Sequence, residues 1–156
     1  MRRQRGVVLL LALLISLLLG LLAASALSSA LQEVRMARVL AEGLKTFEQA
    51  EATLAAAVAD LHGPLPQECA ACSPPERPHQ LIGQWQATPS GYFQLQNLGM
   101  SARATRLSDA PARLIRITAV SRDVENRQVL EAVYALADAQ AQGPQRQLWR
   151  QRLRGD

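Results

Sequence analysis

The sequence predicts an α+β fold in which one long N-terminal helix packs on a small antiparallel β-sheet. Residues 7–27 form an apolar run without a charge, long enough to cross a hydrocarbon layer of ~30 Å as a helix. Over residues 28–62 apolar side chains then recur every three or four positions, as one face of an amphipathic helix requires. Short runs of alternating character follow, and they predict strands.

The two halves of the predicted helix differ in character but contain no proline between them. Gly20 and Gly43 are the predicted hinges, because a glycine in a helix interior costs up to ~1 kcal/mol relative to alanine. The apolar stripe of the amphipathic half consists of Leu31, Val34, Ala37, Leu40, Leu44, Phe47, Leu54, Val58 and Leu61.

A proline- and cysteine-rich loop over residues 63–79 ends the helix, since its prolines cannot continue a helical hydrogen-bond ladder. An antiparallel sheet domain is expected over residues 80–138. Its predicted strands cover 80–87, 91–96, 112–121 and 127–135, and the last two form the clearest hairpin.

The charge distribution predicts the membrane topology. The net charge is +4, but Arg2, Arg3 and Arg5 precede the apolar run, and the remaining acidic and basic residues almost balance. Positive charge beside a membrane span stays in the cytoplasm. The basic excess therefore predicts a single-pass inner-membrane protein with its C-terminal domain in the periplasm, and it gives no reason to expect a nucleic-acid partner.

Two other interpretations of the apolar run remain open. It resembles a cleaved secretory signal, with Ala24 to Ala26 as the processing site. The run is longer than the roughly 7–15 residues of a signal core and no helix breaker follows it, which favours a retained anchor. A plain single-span protein that keeps its first residues is the other alternative.

Cys69 and Cys72 form a Cys-x-x-Cys pair in the loop, and two cysteines in an exported domain predict a disulfide. His62 and His79 flank the pair, so a zinc site built from these four side chains is the alternative, as are free thiols. The spacing matches no familiar zinc motif and an oxidising compartment removes thiolates. We therefore expect neither a metal nor another cofactor.

The tail, residues 139–156, is basic and carries a tryptophan. A strand, a short helix and disorder all remain open for it. Such a tail can contact a polyanion through charge and stacking, although a solvated C-terminus is the simpler interpretation. The residues concerned are Arg146, Trp149, Arg150, Arg152 and Arg154.

Catalysis has no visible support in the sequence. No Ser-His-Asp arrangement and no phosphate-binding glycine loop occurs, and two histidines leave few general bases. The chain is therefore not expected to be an enzyme.

The first residues, MRRQRG followed by VVLLLALLISLLLG, resemble a prepilin leader and its membrane helix. The resemblance implies a leader over residues 1–6, which prepilin peptidase removes by cutting between Gly6 and Val7. It also implies N-methylation of the new Val7 terminus. The apolar helix would remain attached to the mature protein.

Two further segments, SSALQEVRMARVLAEGLKTFEQAEATLAAA and RLIRITAVSRDVENRQVLEAVYAL, are similar to PilX-type minor pilins of type IV pili. The resemblance implies the type IV pilin-like fold and a structural role in pilus assembly, in its initiation or at the tip. The implied partners are other minor pilins, the major pilin, prepilin peptidase, the inner-membrane assembly machinery and the lipid bilayer. The mature chain would be incorporated into the pilus at the cell surface.

One departure from the pilin pattern concerns Leu11, which stands where most pilins carry a glutamate. The resemblance then implies a place at the tip or in an initiation complex rather than in the shaft. Two related functions stay open: a minor pseudopilin of type II secretion, and a pilus-tip adhesin or DNA-capturing module that uses the basic tail.

Overall fold

The computed structural model describes residues 3–69, 71–104, 111–137 and 143–153. The predicted fold class is confirmed: one long N-terminal helix packs on an antiparallel sheet, an α+β arrangement like that of type IV pilins. The chain divides into two compact units, Met1–Glu42 and Gly43–Asp156. The elements are α1 (Arg3–Asp60), a 3₁₀ helix (Pro78–Gln80), β1 (Gln86–Ala87), β2 (Gly91–Ser101), β3 (Ala112–Ser121), β4 (Val129–Ala137) and β5 (Gln145–Arg152).

The described strands form one five-stranded sheet in the order β1-β2-β3-β4-β5, with every neighbouring pair antiparallel. The turn between β3 and β4 is built on Asp123. Its carboxylate oxygen Oδ1 accepts hydrogen bonds from the backbone N–H groups of Glu125 and Asn126, both at 2.9 Å. An aspartate that binds the following backbone in this way stabilises a tight turn, so the predicted hairpin forms as expected.

The core lies between one face of the sheet and the last four turns of α1. Strand side chains alternate between faces, so Ile115 and Ile117 of β3 point to the helix while Arg116 points to the other side. The buried apolar cluster comprises Ala50, Leu54, Ala57, Leu61, Phe93, Ile115, Ile117, Ala119, Leu130, Ala132 and Tyr134.

Small and hydroxylated residues allow α1 to approach the sheet closely. The hydroxyl of Thr53 donates to the backbone oxygen of Gln49 at 2.8 Å and lies 3.4 Å from the hydroxyl of Thr88. A Cβ atom on Gly91 would lie 2.0 Å from the backbone oxygen of Val120 and 2.6 Å from the Thr53 hydroxyl. Only glycine fits at the start of β2.

The strand predicted over 80–87 is wrong for most of its length, because only Gln86–Ala87 is extended. Pro78–Gln80 is a 3₁₀ helix that ends at Leu81, whose φ is 53°. Gly83 also has a positive φ, 104°. Two positive φ angles within three residues interrupt the extended backbone of a strand, so this segment forms a loop.

The sheet is larger than predicted in two places: β2 is longer, and a fifth strand follows β4. The strand expected over 91–96 continues to Ser101 through a bulge between Asn97 and Gly99. Of the options left open for the tail, the structure has a strand, because β5 pairs with β4 and aligns Trp149 with Ala132. The sheet therefore extends past residue 138.

Candidate functional site

The first two-thirds of α1 presents an apolar surface that the folded core does not use. Residues 6–42 are exposed throughout. The most apolar stretch has a mean hydropathy of 3.1 and none of it is buried. Apolar patches of this extent are covered by a membrane or a protein partner, since exposure to water is unfavourable. By length and composition, α1 is a candidate membrane span near the N-terminus.

The amphipathic stripe predicted for residues 28–62 is buried only in its second part. Leu31, Val34 and Leu40 are exposed, whereas burial begins at Thr46 and includes Ala50. Within the second compact unit, the buried face of α1 therefore starts at Thr46 and packs on the sheet.

The predicted cleavage point lies inside α1. Gly6 and Val7 are both helical and exposed, and the helix begins at Arg3. Residues 1 and 2 of the predicted leader lie outside the described residues. Cleavage and methylation at Val7 stay predictions.

The two predicted hinges do not interrupt the helix. Gly20 and Gly43 both lie within Arg3–Asp60, and a Cβ atom on either would meet nothing within 4 Å. The division between the two compact units falls between Glu42 and Gly43. A hinge at Gly43 therefore remains a prediction, and close packing does not require a glycine there within the chain itself.

We expect Gly43→Ala to raise the free energy of unfolding by up to about 1 kcal/mol, because alanine restricts the unfolded chain and fits the helix without a clash. Chemical unfolding of the full chain in phospholipid nanodiscs measures this change. Gly143→Ala, with equally open surroundings outside a helix, serves as the control. Unchanged or reduced stability of Gly43→Ala would contradict the expectation.

The loop after α1 is attached to the sheet. Cys69 and Cys72 form a disulfide. The backbone N–H of Cys69 donates to the backbone oxygen of Asn97 at 2.7 Å, and the side-chain amide of Asn97 donates to the backbone oxygen of Pro66 at 3.1 Å. Arg116, on the sheet face opposite the helix, donates to the Cys72 oxygen at 3.0 Å. The loop thus passes from the end of α1 onto the outer face of the sheet.

The zinc alternative loses its ligands in this arrangement. The disulfide consumes the thiolates of Cys69 and Cys72. His62 is exposed beyond the end of α1, and His79 is half-buried in the 3₁₀ helix. Among the described residues, no three side chains of metal-binding type come together.

A buried carboxylate organises the outer face of the sheet. Glu131 of β4 is only 2% exposed, and three arginines surround it. Its Oε1 atom lies 2.8 Å from Nη2 of Arg150 and 3.8 Å from Nε of Arg116, and its Oε2 atom lies 3.8 Å from Nη1 of Arg152. We name these four residues the Glu131 cluster. A carboxylate at this depth requires such countercharge, because burial of an unpaired charge is very costly.

The Glu131 cluster also holds the disulfide loop. Arg116 donates to the Cys72 oxygen, and Arg152 donates to the Pro75 oxygen at 2.7 Å. Glu131 was not singled out from the sequence. Its only signal is a lone carboxylate within an otherwise apolar strand, which becomes informative once β5 is known to run beside it.

The residues proposed for polyanion contact are divided by the structure. Arg150 and Arg152 belong to the Glu131 cluster. Trp149 packs edge-on against Phe47 of α1, with ring centroids 6.4 Å apart and planes at 76°. Arg146 is exposed on β5, and Arg154 lies outside the described residues.

The described residues therefore combine an exposed apolar helical segment with a folded domain, and ion pairs and hydrogen bonds of the Glu131 cluster connect the strands and the loop on the outer face of that domain. Three comparisons with known proteins give no match: no family model, no curated protein and no solved structure is significantly similar to the chain.

Proposed function

We propose that this chain is a minor pilin of a type IV pilus, with a structural and non-catalytic role in pilus assembly, initiation or the tip. One observation carries the proposal: a single helix, Arg3–Asp60, supplies both an exposed apolar segment and the buried face that packs on the sheet. Such a chain suits a subunit that is stored in a membrane and later associates through the same helix.

The mechanism is an exchange of environments for the apolar segment. Val7 to Leu27 lies in the inner membrane, and after assembly it packs against the helices of other minor pilins and of the major pilin. Helices in lipid associate through close packing at small residues. Gly20, Ala23 and Ala24 provide such a surface.

The proposed position in the pilus follows from charge within the span. No carboxylate precedes Glu33, so the helix offers no acidic partner for a neighbour's charged amino terminus. An ionised side chain in hydrocarbon costs several kcal/mol unless paired. A subunit without one fits the tip or an initiation complex, where no subunit stands ahead of it.

The proposed location is the inner membrane, with the N-terminal arginines in the cytoplasm and the sheet domain in the periplasm. The positive-inside rule supports this orientation. The Cys69–Cys72 disulfide supports it independently, since disulfides persist in oxidising compartments.

A DNA-capturing role for the tail receives less support than assembly. Arg150 and Arg152 form ion pairs with Glu131, and Arg152 also holds the loop, so both side chains already have a structural role within the domain. A minor pseudopilin of type II secretion shares the same anatomy, and its partners distinguish it from a minor pilin.

Photo-crosslinking in cells of the source organism tests the proposal. A photoreactive residue replaces Leu18 in the apolar segment, and the matched control replaces Val124, which is 71% exposed in the β3–β4 turn. We expect Leu18 adducts with the N-terminal helices of type IV pilus subunits, and no such adducts from Val124. Adducts with secretion pseudopilins would favour the alternative. Absence of protein adducts when pilins are expressed would contradict assembly.

A further inference from the structure

A cleft of about 460 Å³ opens beside β1 and β2. Three segments line it: residues 64–66 after α1, residues 84–86 before and within β1, and residues 93–95 of β2. None of its lining residues belongs to the Glu131 cluster or to the exposed part of α1. Its volume falls within the roughly 300–1,000 Å³ of small-ligand sites.

Among the described residues, the lining comprises Trp85, three glutamines and apolar side chains, and none of these is charged. Trp85 lines the cleft and is half-buried. Gln84 and Gln86 line the cleft and are exposed, and a glutamine amide has both donor and acceptor groups. Gln94 lines it as well, with its amide bonded to the Gln84 oxygen. A sugar ring has matching chemistry, because its C–H face packs on an aromatic ring while its hydroxyls pair with amides.

The cleft is held in shape before any ligand arrives. The indole N–H of Trp85 donates to the Ile82 oxygen at 3.1 Å, and the Gln94 amide donates to the Gln84 oxygen at 3.3 Å. Leu81, just before this segment, adopts a left-handed φ of 53°. Bulky residues rarely accept this conformation, which persists only where the surrounding structure holds it.

We propose that this cleft binds a neutral oligosaccharide, with the ring of Trp85 stacked on one sugar face and the amides of Gln84 and Gln86 hydrogen-bonded to hydroxyls. An anionic ligand is disfavoured because none of the described lining residues is cationic. A proline-rich peptide is disfavoured because its recognition uses grooves lined by several aromatic rings, whereas of the two aromatic residues described in this lining Phe93 is only 4% exposed, which leaves Trp85 alone. The inference does not depend on the proposed pilin role, which uses α1.

The test uses the full chain in phospholipid nanodiscs, since detergents with sugar headgroups would compete. The chain has two tryptophans, so Trp149→Phe leaves Trp85 as the sole tryptophan while it keeps an aromatic ring against Phe47. The probes are maltotetraose, cellotetraose, chitotetraose and a proline-rich decapeptide. Saturation-transfer NMR compares wild type with Trp85→Ala, with the double variant Gln84→Ala/Gln86→Ala, and with the control Val124→Ala.

We expect at least one tetrasaccharide to shift the Trp85 emission. Its affinity should fall at least about tenfold in Trp85→Ala and in the glutamine double variant, a change of about 1.4 kcal/mol, and stay unchanged in Val124→Ala. The proposal is overturned if no saccharide binds wild type, if both cleft variants bind as well as wild type, or if the decapeptide alone binds.

Discussion

Glu131→Gln is expected to lower the free energy of unfolding by about 3–5 kcal/mol. Glutamine preserves the shape of the side chain but removes the charge, which leaves Arg116 and Arg152 without their counterion in a nearly buried site. The arginine side chains are only 15% and 10% exposed. Replacement of both partners of a buried ion pair by apolar residues often changes stability little. Removal of only one partner is strongly destabilising, because the remaining charge stays buried without a counterion.

Chemical unfolding of the full chain in nanodiscs, followed by tryptophan fluorescence, measures this loss. Glu51→Gln is the matched control, because Glu51 is exposed on α1 within the same compact unit. Added protease should also cut the variant faster than wild type, at peptide bonds of the disulfide loop, because Arg116 and Arg152 hold this loop in wild type. Stability within about 0.5 kcal/mol of wild type, the usual range of surface substitutions, would contradict the role assigned to Glu131.

Gly91→Ala is expected to destabilise the chain by about 3 kcal/mol. The added Cβ atom would lie 2.0 Å from the backbone oxygen of Val120. A backbone atom in a strand cannot move aside as a flexible side chain can, so α1 and β3 would have to separate from β2. The measurement is again the free energy of unfolding.

Thr53→Ala combined with Gly91→Ala separates the two contacts of the added methyl group. Loss of the Thr53 hydroxyl relieves only the 2.6 Å contact, so the double variant should recover little of the lost stability. Full recovery of stability would show that the added methyl group clashes with the Thr53 side chain and not with the backbone of β3. A Gly91→Ala variant as stable as wild type would contradict the close approach at this position.

The long helix and the β3–β4 hairpin could be predicted because their signals are local. A charge-free run, a three-to-four-residue period and the alternation of the two strands all depend on neighbouring residues. The segment around Leu81 gave no such signal, since leucine disfavours the left-handed backbone found there. Its conformation is imposed by the surrounding structure.

The Glu131 cluster could not be predicted because it depends on strand register. Arg150 lies 19 residues from Glu131 and faces it only when β5 pairs with β4 in the observed alignment. Arg152 meets the Pro75 oxygen across 77 residues. The sequence shows that these arginines are charged, but only the pairing of β5 with β4 shows that they face Glu131.

The stripe on the amphipathic half illustrates a related limit. Leu40 and Leu54 carry the same periodic signal, but Leu40 is exposed and Leu54 is buried. Periodicity identifies the apolar face of a helix without stating what covers it. The exposed part is the part that we assign to other subunits and to the membrane.

The most direct test of the central proposal is intact-mass and N-terminal peptide analysis of the membrane-extracted chain, with and without prepilin peptidase. The proposal predicts a mature chain that begins at N-methylated Val7 only when the peptidase is present, and that stays in the membrane fraction. A terminus between Ser25 and Leu31 would indicate a cleaved secretory signal. An intact Met1 terminus in the presence of the peptidase would leave an ordinary membrane anchor, and either result would contradict the pilin assignment.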